Sequence, residues 1–439
     1  MANKCEAIIL SVGKTWEPIV YTLKHFQPKV AVFLCTPESC QTLDKVLSEY
    51  QLPPSCYQIS QVPDDPQAIG QMVMKCYSAY VWLREEKKLE PSAILVDPTA
   101  GRKWMSSAVT MIASYLGANM GYVDVAFKDG KPDPSTMKIV DLGNAYDQTG
   151  FLEIERGIQF FNAGVWENAK LTFQRIQSHH SSLNDLAIGL TKLSDVMERW
   201  DLFVHYKENL SQDLKDVVKI LRRVSFTDQS YSEIIKILVS DIERLKAISD
   251  RIFKEVRPNL LMTVDLFLNA QRCIKKGRYD DGVARLYRTL ESLAQFYLKK
   301  DYGIDTTKAD LKGKNFDFID KFREYKRGHL PENLALEDAY LLLYFAKHHL
   351  GKAVIQGFSE REKRPKNIFH ELLEKRNNSI MAHGFEPIGQ EIAQKLFKKM
   401  DQLLARSMGE EFIKLRDELI FPQIPSIFRR SSGTWKGDL

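Results

Sequence analysis

The sequence predicts an α/β domain with a parallel sheet at the N-terminus, joined to a longer all-α part. In the first 145 residues, short apolar runs rich in β-branched side chains alternate with amphipathic helical patterns. Between Gly143 and Gly150 this alternation stops, and nearly every later apolar pattern has helical spacing. A chain of 439 residues is also too long for one typical core, so two or three domains are expected.

The predicted elements of the first domain follow one another in regular order. Strands are predicted at 7–10, 30–34, 57–59, 93–96, 120–127 and 137–142. Helices are predicted at 18–25, 39–50, 66–90 and 106–116. Such alternation is typical of a doubly wound sheet, whose ligands bind at the carboxyl ends of strands near a switch in strand order. The turns after the first and fourth strands are therefore the expected ligand site.

Those two turns are Ser11–Trp16 and Asp97–Ser106. Neither contains the Gly-x-Gly-x-x-Gly of a dinucleotide fold or the Gly-x4-Gly-Lys-Ser/Thr of a P-loop. Each nevertheless places a glycine, a hydroxyl and a lysine at a helix start, where backbone amides can hold phosphates or hydrogen-bond a base. The alternative interpretation is two tight surface turns with incidental lysines. The tryptophans of these turns, Trp16 and Trp104, suit either adenine stacking or a core or interface role.

The helical part is predicted to form two domains, a bridging domain at 150–262 and a final domain at 263–439. Helical patterns of the bridging domain lie at 183–206, 214–224 and 231–256. Those of the final domain lie at 261–275, 279–299, 338–354, 368–382, 388–408 and 411–419. The function expected of the bridging domain is to set the distance and angle between its two neighbours.

One predicted helix, between Asn367 and Gly384, combines residues suited to RNA cleavage. Arg376 and His383 are seven residues apart, so a continuous helix would place both on one face with roughly 10 Å of rise between them. Asn377 lies beside them. An arginine can hold a phosphate and a histidine can transfer protons, while RNA supplies its own 2′-OH nucleophile, so this chemistry needs no metal. The alternative is an ordinary surface helix, because Arg-x6-His often occurs by chance.

Composition and charge describe an ordinary globular protein with a basic C-terminal part. Residues 1–150 carry 14 Lys and Arg and 16 Asp and Glu, a net charge of −2. Because the net charge of the whole chain is +5, the remaining residues have a net charge of +7. A phosphate-rich partner is therefore expected on the C-terminal part. No apolar run is long enough to span a membrane and the N-terminus lacks a signal-peptide pattern, so a cytoplasmic protein is expected.

The six cysteines show no Cys-x2-Cys pair, and five of them lie in the first eighty residues. They are predicted to be reduced thiols, neither zinc ligands nor disulfides. His348, His349 and His370 lack acidic partners at metal-binding spacing, so no metal and no cofactor are predicted.

The sequence Arg376-Asn377, four residues, then Ala382-His383-Gly384 resembles the Arg-x4-6-His motif of HEPN ribonucleases. The match includes the polar residue after the arginine and the glycine after the histidine. HEPN domains are four-helix domains that cut single-stranded RNA at a site formed between two protomers. The resemblance implies Arg376, His383 and Asn377 as the catalytic group, and a homodimer or a higher oligomer as the active form.

The loop Asp97-x-Thr99-Ala100-Gly101-Arg102-Lys103-x-Met105 resembles the Asp-x-Thr-Gly-Gly-Thr-Lys-x-Met loop of CARF domains, which are Rossmann-like sensors of cyclic oligoadenylates. It departs from that pattern at Ala100 and Arg102. Ser11-Val12-Gly13 resembles the first-strand turn of the same family. The ligand residues implied for a cyclic oligoadenylate are Gly13, Lys14, Thr15, Thr99, Ala100, Gly101, Arg102 and Lys103.

The two motifs in this order resemble the CARF-HEPN ribonucleases of type III CRISPR antiviral defence, of the Csm-six and Csx-one type. The resemblance implies an allosteric endoribonuclease that cyclic oligoadenylate activates and that leaves a 2′,3′-cyclic phosphate and a 5′-OH. Two alternatives stay open. One is a non-catalytic, nucleotide-sensing helical scaffold or adaptor, and the other is a ring nuclease that degrades the cyclic oligoadenylate itself.

Overall fold

The computed structural model of the chain describes residues 5–129, 131–176, 181–227, 232–255, 258–358, 365–379 and 384–426. The chain divides into two compact units. The first comprises residues 1–154 and 175–184, and the second comprises residues 155–174 and 185–439. The boundary predicted near residue 262, inside the helical part, stays a prediction.

The first unit contains a six-stranded sheet and the helices that cover it. Its strands are β1 (Ala7–Ser11), β2 (Val30–Cys35), β3 (Tyr57–Gln61), β4 (Ile94–Asp97), β5 (Asn119–Asp124), β6 (Phe127–Lys128), β7 (Lys131–Pro132) and β8 (Lys138–Asp141). Its helices are α1 (Glu17–Phe26), α2 (Pro37–Glu49), α3 (Ile69–Glu85), α4 (Lys103–Leu116) and α5 (Ala145–Thr149). β6 and β7 form a separate small hairpin.

The strand order of the sheet is β3-β2-β1-β4-β5-β8, and every pairing is parallel except β5 with β8. The order reverses between β1 and β4, where Leu10 is in register with Asp97. The predicted Rossmann-like sheet is thereby confirmed. The strand order also confirms that the turns after β1 and β4 follow adjacent strands at the switch in strand order, where ligands of such sheets bind.

Helices cover both faces of the sheet, as a doubly wound fold requires. On β1, Ile8 and Leu10 face a core built with α1 and α2, whereas Ala7 and Ile9 face a core built with α3 and α4. Because side chains alternate across a strand, this fully apolar segment fills both cores. The sheet is buried, and the rigid ends of β1 and β4 support the loops that follow them.

In its described residues, the second unit is helical apart from one β-hairpin. Its helices are α6 (Phe151–Asn162), α7 (Trp166–Gln174), α8 (Ser181–Asp201), α9 (Ser211–Thr227), α10 (Ser232–Lys254), α11 (Leu260–Lys275), α12 (Tyr279–Tyr302), α13 (Asp317–Tyr325), α14 (Leu336–Phe345), α15 (His349–Val354), α16 (His370–Asn378), α17 (Gln390–Met408) and α18 (Glu410–Glu418). The hairpin pairs β9 (Ile355–Phe358) with β10 (Pro365–Asn367). This arrangement confirms the predicted all-α character of the C-terminal part.

Antiparallel helices α11 and α12 form the centre of the C-terminal bundle. Asn259 caps α11 by accepting a hydrogen bond of 2.8 Å from the amide of Met262. Phe267 of α11 stacks on Phe397 of α17, with ring centroids 4.6 Å apart. The stacked rings therefore join α11 to α17.

Two predicted helices of this bundle are wrong in extent. The helix predicted at 338–354 is broken into α14 and α15, because Lys347 adopts a left-handed conformation with φ of 58°. The helix predicted from Ile368 to Ala382 begins only at His370 and ends at Asn378. At its start the chain is extended, since Pro365–Asn367 pairs with β9, and at its end Ser379 is extended with ψ of 162°.

The prediction of six reduced cysteines is also wrong for one pair. Cys35 ends β2 and Cys40 lies in the first turn of α2, and their Cα atoms are 5.6 Å apart in a disulfide. That spacing is within the normal range of disulfide geometry. Within the described residues, no helix combines the length and the apolar character needed to cross a membrane.

Candidate functional site

The loops after β1 and β4 meet at a close backbone contact. A methyl group placed on Gly13 would lie 2.5 Å from the backbone nitrogen of Gly101, so only glycine fits at position 13. Gly101 itself has φ of 103°, a conformation that side chains disfavour. The hydroxyl of Ser11 donates to the carbonyl oxygen of Ala100. The structure therefore brings together the two turns that the sequence singled out.

Asp97, at the end of β4, stabilises the contact between the two loops through hydrogen bonds. Its carboxylate accepts hydrogen bonds from the hydroxyl of Thr22, at 2.7 Å, and from the backbone amide of Thr99, at 2.8 Å. Burial raises the pKa of Asp97, and the hydrogen bonds from Thr99 and Thr22 act in the opposite direction. The Thr99 hydroxyl accepts from the amide of Val123 at 2.8 Å. Thr99 and Asp97 therefore fix the shape of the loop.

Each of the two loops carries a cation next to the contact between Gly13 and Gly101. Lys14 pairs with Glu38 at 2.9 Å, and Arg102 pairs with Asp64 at 2.6 Å. Hydrogen bonding to Glu38, together with its charge, raises the pKa of Lys14. Such exposed pairs contribute little to stability and can exchange partners when an anion binds. Neither acidic partner could be identified from the sequence, since Glu38 lies on α2 and Asp64 lies in the loop after β3.

Lys103 is the first residue of α4, and its side chain is exposed. Within the described part of the chain it makes no ion pair, and no side chain caps the amides at the start of this helix. An uncapped helix N-terminus attracts anions. Of the eight predicted ligand residues, four are exposed in a position to contact a ligand, namely Lys14, Thr15, Arg102 and Lys103. Gly13 and Ala100 are buried in the loop contact.

The two tryptophans of these loops are half-buried. Trp16 packs against the core formed with α1 and α2, with Lys45 Nζ 5.2 Å from its ring centre. Trp104 packs against the core on the other face, and its buried indole nitrogen has no hydrogen-bond partner among the described residues. The positions of Trp16 and Trp104 therefore favour a role in the hydrophobic core over a role in stacking on an adenine base.

The second candidate site lies in the other unit, at the end of α16. Arg376 is in the last turn of α16 and is half-buried, while Asn377 is exposed. The guanidinium of Arg376 lies over the ring of Tyr287, with its central carbon 4.6 Å from the ring centre, and donates to the Asn377 side-chain oxygen at 3.1 Å. Arg376 and Asn377, which are neighbours in the chain, are thus joined by a side-chain hydrogen bond.

Tyr287, on α12, was not singled out from the sequence, because it lies far from Arg376 in the chain. Burial and the neighbouring Glu291 raise the pKa of Tyr287, and the charge of Arg376 acts in the opposite direction. The phenol therefore stays neutral and offers its ring face to the arginine. Tyr287 positions the guanidinium by contact with one of its faces.

The third predicted catalytic residue, His383, lies outside the described residues. So do Arg361, Glu362, Lys363 and Arg364 of the basic stretch before α16. The continuous helix predicted at 368–382 is wrong, because α16 ends at Asn378 and Ser379 is extended, while the grouping of Arg376 with His383 stays a prediction. Gly384 donates its amide to the carbonyl of Ser379 at 3.2 Å, and Glu386 donates to that of Asn378 at 3.2 Å. The segment that follows the histidine is therefore anchored at the end of α16.

A scan against protein-family models matched residues 250–407 to the model described as the Csm6 HEPN domain. Residues 250–407 are therefore similar to a Csm6-type HEPN domain. This confirms the resemblance that the sequence Arg376 to Gly384 indicated, since that sequence lies wholly within the match. The HEPN domain includes α11, α12, α16 and nearly all of α17.

Two solved structures are similar to the chain in addition. One is Enterococcus italicus Csm6 bound to cyclic hexa-2′-fluoro-hexa-dAMP, with 11% identity, 94% of this chain and 98% of that chain covered, and a TM-score of 0.46. The other is Can2 from Sulfobacillus thermosulfidooxidans in complex with cyclic tetra-adenylate, with 13% identity, 51% and 68% coverage, and a TM-score of 0.24. A search of curated protein sequences found no match.

In the part of the chain that the structure describes, no group of three or more His, Cys, Asp or Glu is arranged to hold a metal ion. His348 Nε2 lies 3.1 Å from Asp301 Oδ2, and His349 Nε2 lies 3.3 Å from the carbonyl oxygen of Ser407. Burial and the neighbouring His349 lower the pKa of His348, while Asp301 acts in the opposite direction. Both histidines therefore have structural partners at the base of the HEPN bundle.

Proposed function

We propose that the protein is an endoribonuclease of type III CRISPR antiviral defence that binds cyclic oligoadenylate at the β1 and β4 loops and cuts single-stranded RNA at the HEPN domain. The observation that carries this proposal is the family match, which contains Arg376, Asn377 and His383. The position of Arg376 supports it, because the guanidinium is held on Tyr287 at the end of α16.

The residues suit cleavage that uses the substrate's own nucleophile. The 2′-oxygen attacks the adjacent phosphorus, the bond from phosphorus to the 5′-oxygen breaks, and the products are a 2′,3′-cyclic phosphate and a 5′-OH. The proton of the 2′-OH leaves to a base, and the departing 5′-oxygen takes a proton from an acid. His383 is the proposed proton carrier, and Arg376 stabilises the charge that develops on the phosphate. The reaction as written balances without a metal ion.

The active form is proposed to be a homodimer. One arginine and one histidine per protomer leave a phosphate with few partners, whereas two copies of the motif provide two of each. The ligand acts by linkage, because it binds one state of the dimer more tightly and thereby shifts the population toward the state that cleaves. A cytoplasmic location is part of the same proposal.

The sensor half of the proposal is supported by the loop junction. Exposed Lys14, Arg102 and Lys103 surround the contact between Gly13 and Gly101, at the switch in strand order of the sheet. The uncapped start of α4 adds backbone amides to these cations. The phosphates of a cyclic oligoadenylate are the ligand groups that such an arrangement attracts.

The test is incubation of the full-length protein with labelled single-stranded RNA, with and without cyclic tetra- and hexa-adenylate, each in the presence and absence of EDTA. Cleavage that depends on a cyclic oligoadenylate, persists in EDTA and yields cyclic-phosphate ends supports the proposal. Intact RNA in every condition indicates the scaffold or adaptor instead. Loss of the cyclic oligoadenylate, followed by mass spectrometry, indicates a ring nuclease.

A further inference from the structure

A cleft of about 660 Å³ in the second unit has an unusual concentration of positive charge. It lies between the end of α11, the turn that joins α6 to α7, and the segment after α18. Its charged lining residues are Arg272, Lys275, Lys276, Arg416 and Asp417. Four cations and one anion therefore line a space that is within the range of small-ligand sites, about 300–1,000 Å³, and Arg416 and Asp417 pair with each other at 3.6 Å.

Two of the cations are fixed in place. Asp201 accepts from Arg272 Nε at 2.7 Å and from Lys276 Nζ at 2.9 Å. Burial opposes ionisation of Asp201, but the charges of Arg272 and Lys276 outweigh it and lower the pKa of the carboxyl. Asp201 is thus ionised at neutral pH, and a second buried carboxylate, Asp265, lies 3.7 Å from the Arg272 guanidinium. The two cations of this wall are therefore matched by two carboxylates, and among the described residues the lining cation without an ion pair is Lys275.

Aromatic rings also contact the side chains of Arg272 and Lys276. The Arg272 guanidinium carbon lies 4.0 Å from the ring centre of Phe421, and Lys276 Nζ lies 5.3 Å from that of Trp166. Both rings are more than nine-tenths buried. Since these cations are already ordered, an anion that binds them does not have to order their side chains.

The mouth and the opposite wall of the cleft differ in chemistry. Lys275 is exposed at the end of α11 and makes no ion pair with any residue that the structure describes. The opposite wall is apolar, with Leu419 buried and Ile420 53% exposed. The Asn162 side chain donates to and accepts from the backbone of Ile424, at 2.8 and 2.9 Å, and so holds this wall against the turn after α6.

From this juxtaposition we propose that the cleft binds the phosphate of a nucleotide, with the phosphate against Lys275, Lys276 and Arg272 and the sugar and base against Ile420. The ligand is either a free nucleotide or one nucleotide of an RNA strand, since both offer the same phosphate. Its lining residues include neither Arg376 nor any residue of the β1 and β4 loops. It does not depend on the proposed ribonuclease function.

The test is binding to the full-length protein by isothermal titration calorimetry, with AMP, ATP and a 2′-O-methylated RNA dodecamer as separate probes. The decisive variant is Lys275→Glu, because Arg272 packs on Phe421 and its removal would also disturb folding. The matched control is Lys215→Glu, the same charge change at an exposed position of α9.

We expect Lys275→Glu to weaken binding of at least one probe tenfold or more, the order expected for a charge-assisted phosphate contact, whereas Lys215→Glu leaves that binding unchanged. Loss confined to AMP and ATP identifies a free nucleotide as the ligand, and loss confined to RNA identifies a strand. Equal affinity of the wild-type protein and Lys275→Glu for every probe would overturn the proposal. So would the absence of binding to the wild-type protein.

Discussion

The guanidinium carbon of Arg376 lies 4.6 Å from the centre of the Tyr287 ring, so the end of α16 is held over α12. Contacts of this kind are worth about 0.5–2 kcal/mol, which is enough to restrict a long side chain to one orientation. The face of the guanidinium that does not touch the ring, and its edge, are the parts with which a phosphate can be held. Tyr287 is therefore a positioning residue for the proposed reaction.

Replacing Tyr287 with alanine should lower the rate of RNA cleavage about tenfold, because about 1.4 kcal/mol of orientation is lost. Tyr287→Phe keeps the ring face and should stay within about threefold of the wild-type rate. Single-turnover cleavage at saturating ligand measures both variants. A similar loss in Tyr287→Phe would show that the hydroxyl, and not the ring, is the important group.

Gly13→Ala should separate the β1 and β4 loops, because the new methyl group would lie 2.5 Å from the Gly101 nitrogen. We expect destabilisation of about 1–3 kcal/mol and weaker activation by cyclic oligoadenylate. Gly70→Ala is the control, since nothing lies within 4 Å of the added group there, and it should stabilise α3 by about 0.5–1 kcal/mol. Thermal unfolding and the activation constant are the measurements. A Gly13→Ala protein with the stability and activation constant of the wild-type protein would contradict the close contact.

Lys103→Ala should raise the concentration of cyclic oligoadenylate needed for half-maximal activation about tenfold, because one phosphate contact at the start of α4 is lost. Lys75→Ala, at an exposed position of α3, is the control and should leave the activation constant unchanged. An activation constant that Lys103→Ala does not change would remove this loop from the ligand site.

Asp201→Asn should destabilise the second unit by about 3 kcal/mol at pH 7, because Arg272 and Lys276 lose their shared carboxylate. The pKa of Asp201 is lowered in the folded state, so its contribution is present above the ordinary value of 3.8 and is lost as pH falls through the folded-state pKa. The difference from the wild-type protein should therefore narrow below pH 3.8.

The control for this substitution is Glu243→Gln, which breaks an exposed pair with Arg222 and should cost less than about 1 kcal/mol. Urea unfolding followed by tryptophan fluorescence at several pH values measures both variants. A difference between Asp201→Asn and the wild-type protein that stays constant down to acid pH would show that the charge of Asp201 is not what stabilises the fold.

The α/β unit could be predicted from the sequence because its signals are local. Each strand is a short β-branched run bounded by turn residues, and alternation with helices limits the topology to a few parallel arrangements. The ends of β1 and β4 could be selected as the site for the same reason. The partners Asp64 and Glu38 could not be found, since Asp64 lies in the loop after β3, Glu38 lies on α2, and both approach the site only in the folded protein.

Around Arg376 the sequence predicted the residue but not its surroundings. The apolar spacing after position 367 favours a helix as far as Ala382, yet Ser379 leaves the helix and pairs with Glu386. Tertiary pairing here outweighs helical periodicity, which carries no information about such contacts. The same holds for Tyr287, whose ring approaches Arg376 across two helices, and for the disulfide between Cys35 and Cys40.

The measurement that tests the central claim most directly is cleavage of single-stranded RNA by Arg376→Ala and His383→Ala, each with saturating cyclic oligoadenylate. Arg406→Ala, which removes an exposed arginine of α17 in the same domain, is the matched control. We predict that the first two variants lose about a hundredfold or more of the rate while binding the ligand normally, and that the control keeps the wild-type rate. Cleavage at the wild-type rate by Arg376→Ala or His383→Ala would contradict the proposed active site.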